Sequence, residues 1–290
     1  MKTINTILNS NLNTKICLIA DIHFSYKFKS NIFQKIINNI SKNKPDYICI
    51  AGDIIDYTEI ENIENINELY NFFKELGKIS KTIIVLGNHD ITSVKRDKNG
   101  TISKYINKYP NSLVKNIKKI KNVTLLVNEI YEDKDIRFIG YEESYEAHYD
   151  KKNGHKIAIN EINQLISKID NKKFNVLLSH NPLYLTNKIV YKNINNFKKL
   201  NLILSGHTHN GMLPNFIKTN TLLISPTKKW FVKDGRGHIV KDGVDIIVTG
   251  GVTKLSERSK IFSMFNFVYD INVDYIIIGG NKNGGNKSKK

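Results

Sequence analysis

LILSGHTHNG, residues Leu202–Gly211, is an apolar run that stops at a glycine and then places His207 and His209 two positions apart. A short apolar run closed by turn residues reads as a buried strand. The chain has only eight histidines in 290 residues. Two of them at one strand end raise the question of whether other strands end the same way. They do. KICLIA runs into DIH (Asp21, His23), and YICIAG into GDIID (Asp53). TIIVLG is followed by NHD (Asn88, His89, Asp90), and FNVLLSH closes on His180.

Between the first three of these runs, apolar residues recur at helical spacing over Asn31–Ser41 and from about Glu59 to Leu76. Strand, helix, strand, helix, strand predicts parallel strands with right-handed crossovers. Ligands of such sheets bind beyond the carboxyl ends of the strands. The five stops are therefore expected to meet in one crevice. Further on, VTLLVNE and IRFIGYEE read as strands around a polar turn, YEDKD. Residues 157–169 read as an amphipathic helix and 192–200 as a short one. TLLISP, HIVKDGVDIIVTGG and FNFVYDINVDYIIIGG read as strands joined by Gly-Asp and Asn turns, so the last third is mostly β. The reading places an N-terminal extension at 1–14, one domain at 15–280 and a loose basic tail at 281–290.

The gathered side chains are Asp21, His23, Asp53, Asn88, His180, His207 and His209: carboxylates, imidazoles and an amide, with no thiolate. That palette suits Mn²⁺, Fe, Zn²⁺ or Ni²⁺ better than Cu⁺ or Ca²⁺. Residues two apart in extended chain point the same way, which suits Asp21 with His23 and His207 with His209. His148, His155 and His238 lie in polar or turn surroundings and are not read as ligands.

DIH, GDIID, GNHD, SH at 179–180 and GHTH at 206–209 together resemble the signature of the calcineurin-like metallophosphoesterases, over about Lys15 to Gly280. The resemblance implies an α/β, four-layer αββα sandwich with two mixed β-sheets face to face. It implies two divalent metal ions, Mn favoured. Asp21, His23 and His209 would hold the first, Asn88, His180 and His207 the second, and Asp53 would bridge them. His89 would face the substrate, with Asp90, where the family often has Glu, orienting it from behind. The implied activity is phosphate-ester hydrolysis by a hydroxide shared between the metals. Protein phosphatases of the family carry Arg-Gly after the second aspartate of GDxxD. Here Tyr57 and Thr58 follow Asp56, which favours a phosphodiesterase. The closest branch is the small bacterial phosphodiesterases, which include membrane-associated lipid-headgroup hydrolases. A monoesterase or nuclease on the same site and a catalytically silent scaffold are the rivals. A scaffold of this family would usually have lost ligands or the histidine at 89, and this chain keeps all of them.

Substrate selection is read from Phe24, Tyr26 and Trp230 as rim candidates beside lysines. These suit a small phosphorylated substrate such as a nucleotide or lipid headgroup. Lys and Arg number 44 against 27 Asp and Glu, a net +17. The excess favours polyanions and anionic surfaces. It is spread along the chain, with no concentrated stripe and no nucleic-acid-binding motif, so nucleic acid is not the favoured partner. Cys17 and Cys49 sit inside apolar runs and read as reduced, buried thiols. With no signal-like or spanning apolar segment, the expectation is a cytoplasmic protein, with weak peripheral contact to an anionic inner membrane surface.

Overall fold

The computed structural model of the chain describes residues 1–25, 28–29, 31–57, 65–99, 101–213, 217–226, 228–252 and 271–279. In the first half, β1 (Lys2–Leu8), β2 (Thr14–Ile19), α1 (Asn31–Asn43), β3 (Tyr47–Ala51), α2 (Ile66–Ile79) and β4 (Lys81–Val85) precede a hairpin, β5 (Thr92–Arg96) and β6 (Ile102–Asn107). Then come α3 (Asn111–Ile117), β7 (Val123–Leu125), β8 (Ile130–Asp133) and β9 (Ile136–Tyr141). The second half has α4 (Tyr145–Tyr149), α5 (Gly154–Ile166), β10 (Phe174–Ser179), α6 (Leu183–Thr186), α7 (Lys188–Tyr191) and β11 (Leu202–Ser205). It continues with β12 (Leu222–Ile224), β13 (Trp230–Val232), β14 (Gly237–Lys241), β15 (Val244–Val248) and β16 (Asn272–Ile278).

Two six-stranded sheets form, in the orders β1-β16-β2-β3-β4-β7 and β14-β15-β11-β10-β9-β8. Both are mixed. In the first, β2, β3, β4 and β7 run parallel and β16 lies antiparallel to β2. In the second, β9, β10, β11 and β15 run parallel, flanked by antiparallel β8 and β14. The strand period of two sorts the side chains into layers. On β2, Ile16 and Leu18 join Phe138, Val176, Leu178 and Leu204 in the core between the sheets. Cys17 and Ile19 point the other way, to Phe33, Ile36 and Ile40 of α1 and to Phe72, Phe73 and Leu76 of α2. On the outer face of the second sheet, Leu177, Ile203 and Ile246 meet Ala158, Ile162 and Leu165 of α5. Three apolar layers between four layers of structure make the αββα sandwich.

Three expectations change. Residues 2–8 are not an extension ahead of the domain: they add β1 in parallel register to β16, Lys2 beside Asn272 through Leu8 beside Ile278. The helix over 192–200 is only a 3₁₀ turn, Phe197–Lys199, because Asn196 before it takes a left-handed φ of 56°. Phe24 is 2% exposed and packs among Phe28 and Phe33, so it belongs to the core, not to a substrate rim. Tyr26, the tail 281–290 and residues 265–270 of the last strand reading lie outside the described residues. Cys17 and Cys49 are free and buried, and burial raises both thiol pKa values. No helix among the described residues is long and apolar enough to cross a membrane.

Candidate metal centre

The loops after β2 and β3 are zipped together. Asp21 N donates to Gly52 O at 3.0 Å, His23 N to Asp53 O at 3.0 Å and Phe24 N to Ile54 O at 2.9 Å. This lays the two strand ends side by side. The second sheet delivers its ends onto them: His207 N donates to Asp21 Oδ1 and Oδ2 at 3.1 and 3.0 Å, while Gly206 N donates to His180 O at 3.0 Å within that sheet. These turns require unusual backbone. Asp21, His23, Asp53, His207 and His209 all have positive φ, between 45° and 70°. Such conformations are costly for these residues and concentrate at functional sites.

Three groups of donors result, each able to hold a metal ion: Asp21, His23 and His209; Asp53, His180 and His207; and His23, Asp56 and His89. In the first, His23 Nε2 lies 3.3 Å from His209 Nε2, and His209 Nε2 lies 3.6 Å from Asp21 Oδ1. In the second, His180 Nε2 lies 3.1 Å from His207 Nδ1 and 3.2 Å from Asp53 Oδ2. The same Asp53 Oδ2 is 3.6 Å from His23 Nε2, so this oxygen stands between the groups. Its partner Oδ1 is occupied by His89 N at 2.9 Å.

The donors are set up to bind cations. His180 Nδ1 lies 2.7 Å from Ala51 O. A carbonyl can only accept, so Nδ1 carries a proton, and in the neutral ring Nε2 offers its lone pair to the centre. Asn88 is 5% exposed, and its buried Oδ1 has no hydrogen-bond partner. An orphaned buried carbonyl is costly unless something else takes its lone pairs, and a hard cation would. Burial raises the pKa of the neighbouring Tyr149 hydroxyl to about 12, and the Thr92 and Asn88 side chains offset part of that rise. Electrostatics agree. Burial alone would raise Asp53, but the His180 and His89 imidazoles hold it well below the carboxylate range. Against its own burial, His180 is pushed up to about 10 by Asp53. In the metal-free chain a proton on His180 supplies the positive charge this cavity demands.

His89 stands outside the first two groups and joins His23 and Asp56 in the third. Its Nε2 faces Asp53 Oδ2 at 3.9 Å, its Nδ1 lies 3.1 Å from Asp56 Oδ1, and Tyr57 stacks on its ring at 4.1 Å. Asp56, not Asp90, is therefore the carboxylate behind His89. Asp90 instead accepts from Gly87 N at 2.7 Å and Ile55 N at 2.9 Å, which pins the turn before Asn88. Its pKa rises to about 7 through burial and the nearby Asp53 charge. Asp56 lay in plain view as the last letter of GDIID. His148 was set aside, yet its ring meets His207 edge-on at 5.5 Å, with Glu143 Oε2 2.9 Å from its Nδ1. It sits on α4 with no strand-end motif to mark it. Trp230 is 62% exposed on β13, and its ring partner is Phe231; it shows no contact with these donors.

A two-sheet sandwich whose strand ends gather two sets of oxygen and nitrogen donors around one shared carboxylate is a fold built for a dinuclear metal centre. Residues 14–211 match the calcineurin-like phosphoesterase family, and the chain belongs to that family. It is similar to an uncharacterized metallophosphoesterase of Aquifex aeolicus, at 25% identity over 82% of this chain and 78% of that protein. Another of Campylobacter jejuni is 26% identical over 71% of this chain, which spans only 47% of that protein's length. Among solved structures, a dimetal phosphatase from Danio rerio aligns with a TM-score of 0.49 and 12% identity, over 82% of this chain and 87% of that one.

Proposed function

We propose that the chain is a phosphodiesterase dependent on two divalent metal ions. The observation that carries this reading is Asp53 Oδ2, placed 3.6 Å from His23 Nε2 and 3.2 Å from His180 Nε2. One carboxylate oxygen serves both donor groups. Asp21, His23 and His209 would hold one ion, Asn88, His180 and His207 the other, with Asp53 common to both. Donors of nitrogen and oxygen without sulfur favour Mn²⁺, with Fe, Zn²⁺ and Ni²⁺ as alternatives. When bound, two such ions supply an activated water and offset the charge of the phosphoryl group.

The chain's own residues do the rest. Asp21 and Asp53 are the only carboxylates in the two donor sets. The amide of Asn88 adds an oxygen ligand without charge, so attraction for a phosphate is retained. His89 presents Nε2 to the centre while Asp56 keeps a proton on Nδ1. As an imidazolium, with Nδ1–H given to Asp56, it is placed to donate from Nε2 to a phosphoryl oxygen or to the departing alkoxide. Tyr57 braces the face of that ring where protein phosphatases of the family have arginine. An apolar ring there supports a diester over a phosphoprotein substrate. The buried thiols suit a reducing compartment, in line with a cytoplasmic enzyme.

The test is hydrolysis of bis-p-nitrophenyl phosphate against p-nitrophenyl phosphate by protein stripped with a chelator and reloaded with each metal. Diester turnover that appears only on reloading, most strongly with Mn²⁺, supports the reading. Faster monoester turnover makes the chain a phosphomonoesterase, and full activity without metal ends the proposal.

A further inference from the structure

We infer that the β12–β13 hairpin is a docking surface for anionic lipid bilayers. β13 holds Trp230 and Phe231 side by side, 62% and 69% exposed, with ring centroids 6.3 Å apart. Phe231 also takes a left-handed φ of 52°, a conformation that is an outlier for a bulky residue. Folding gains nothing from strained backbone that holds a phenylalanine in water. An apolar environment met from outside would.

The charges around these rings select the occupant. Lys228 and Lys229 precede Trp230 and Lys233 follows Val232, all exposed. The nearby carboxylates Asp234 and Asp242 are already engaged by Lys241 and Lys192. Beside the hairpin a cavity of 580 Å³ is bounded by Leu183, Tyr184 and Val232, with Lys188, Lys229 and Lys233 among its walls. An aromatic pair between lysines, next to an apolar cavity with a basic rim, matches the layering of a bilayer surface: acyl chains beneath anionic headgroups. Aromatic rings settle at the headgroup level, and each lysine near an anionic leaflet strengthens binding about fivefold. Single-stranded nucleic acid would instead call for stacking rings along a continuous basic groove. The hairpin is also rigidly tied to the metal centre. Leu222 fills the space where a Gly211 Cβ would stand, 2.5 Å away, and Arg236 Nη1 donates to Asn210 O at 3.3 Å. Both anchors adjoin His209.

Trp230 is the chain's only tryptophan, so its emission reports this surface alone. The full chain is titrated with phosphatidylcholine vesicles with and without phosphatidylglycerol. The expected result is a blue shift confined to the anionic vesicles, quenching by brominated acyl chains, and loss of both at high salt. Phe231→Ser should weaken partitioning, and each of Lys228→Gln, Lys229→Gln and Lys233→Gln should lower it about fivefold. These residues are exposed, and circular dichroism checks that the variants fold. Vesicle binding that leaves Trp230 emission unchanged would overturn the inference, because another basic region would then be responsible. So would an equal shift on zwitterionic vesicles, or one produced by oligouridylate in their place.

Discussion

At the scale of single residues, the two imidazole–carboxylate pairs of the centre predict separable defects. Asp53→Ala removes the oxygen between the donor groups and should abolish turnover together with tight metal binding. His89→Ala should keep both metals and lose roughly 10²–10⁴-fold in kcat. Asp56→Asn should also keep the metals and lose roughly 10–100-fold, because Asp56 orients His89 and, at 3.7 Å from Nδ1, the ligand ring of His23. Elemental analysis beside kcat on a diester separates the three. If Asp56→Asn proved as active as wild type, Asp56 would be a surface carboxylate and nothing more. The raised His180 gives a pH dependence. A ligand imidazole must be neutral, and His180 titrates near 10 in the metal-free chain, so metal binding at pH 7.5 should release at least one proton. Affinity should rise as pH climbs toward that value. Calorimetry in buffers of different ionisation enthalpy counts the protons. Without metal the sign reverses for stability. The His180–Asp53 pair stabilises the fold fully below the ordinary histidine value of 6.5 and loses that contribution as pH rises through about 10. Chelated protein should therefore melt lower at pH 9.5 than at pH 7. Six of the seven metal-ligand candidates come together in the donor groups, and they could be read because each stands at or just past the end of an apolar run. The partner of His89 was not: adjacency pointed to Asp90, while the turn gave that carboxylate to backbone N–H groups.

At the scale of elements, the site depends on how closely the strand ends approach one another. A Cβ on Gly206 would stand 2.5 Å from Ala20 Cβ and 2.7 Å from Asp21 Oδ2. Gly206→Ala should therefore push Asp21 aside and lower metal content toward one ion per chain, with a stability loss of about 1–3 kcal/mol. Gly243 has open space around it but a φ of 86°, so Gly243→Ala should cost stability and leave metal content intact. Equal metal content in the two variants would show that the strand ends tolerate displacement. The alternating strands and helices up to Asn88 could be read because each strand is apolar on both faces and each helix on one. The β5–β6 hairpin could not. Most of its side chains are exposed, so neither period is written in them. β1 escaped for a related reason: at the sheet edge Ile4 and Ile7 stay 36% and 66% exposed, and its backbone pairs with a strand some 270 residues later, Lys2 with Asn272.

At the scale of the whole molecule, the two sheets are joined by an apolar core and, at one end, by the donors they share. Two of the donor groups draw on both sheets: Asp21 and His23 with His209, Asp53 with His180 and His207. Bound metal should then stabilise the sandwich as a unit. A ligand at 100 times its Kd adds about 2.7 kcal/mol, seen as a higher Tm on reloading chelated protein. Hydrogen exchange should slow at the ends of both β3 and β11. Protection confined to one sheet would mean that the donors do not bridge. The division of donors along the chain also bears on how the protein is made. Asp21, His23, Asp53 and Asn88 leave the ribosome first, and His207 follows Asn88 by roughly ten seconds at common elongation rates. For most of that interval the ligand candidates already made are the carboxylates, Asn88 and His23, a set without His180, His207 and His209. It can hold neither ion tightly, and it cannot be committed early to whichever metal is most abundant. The choice of metal is deferred until the chain has nearly finished.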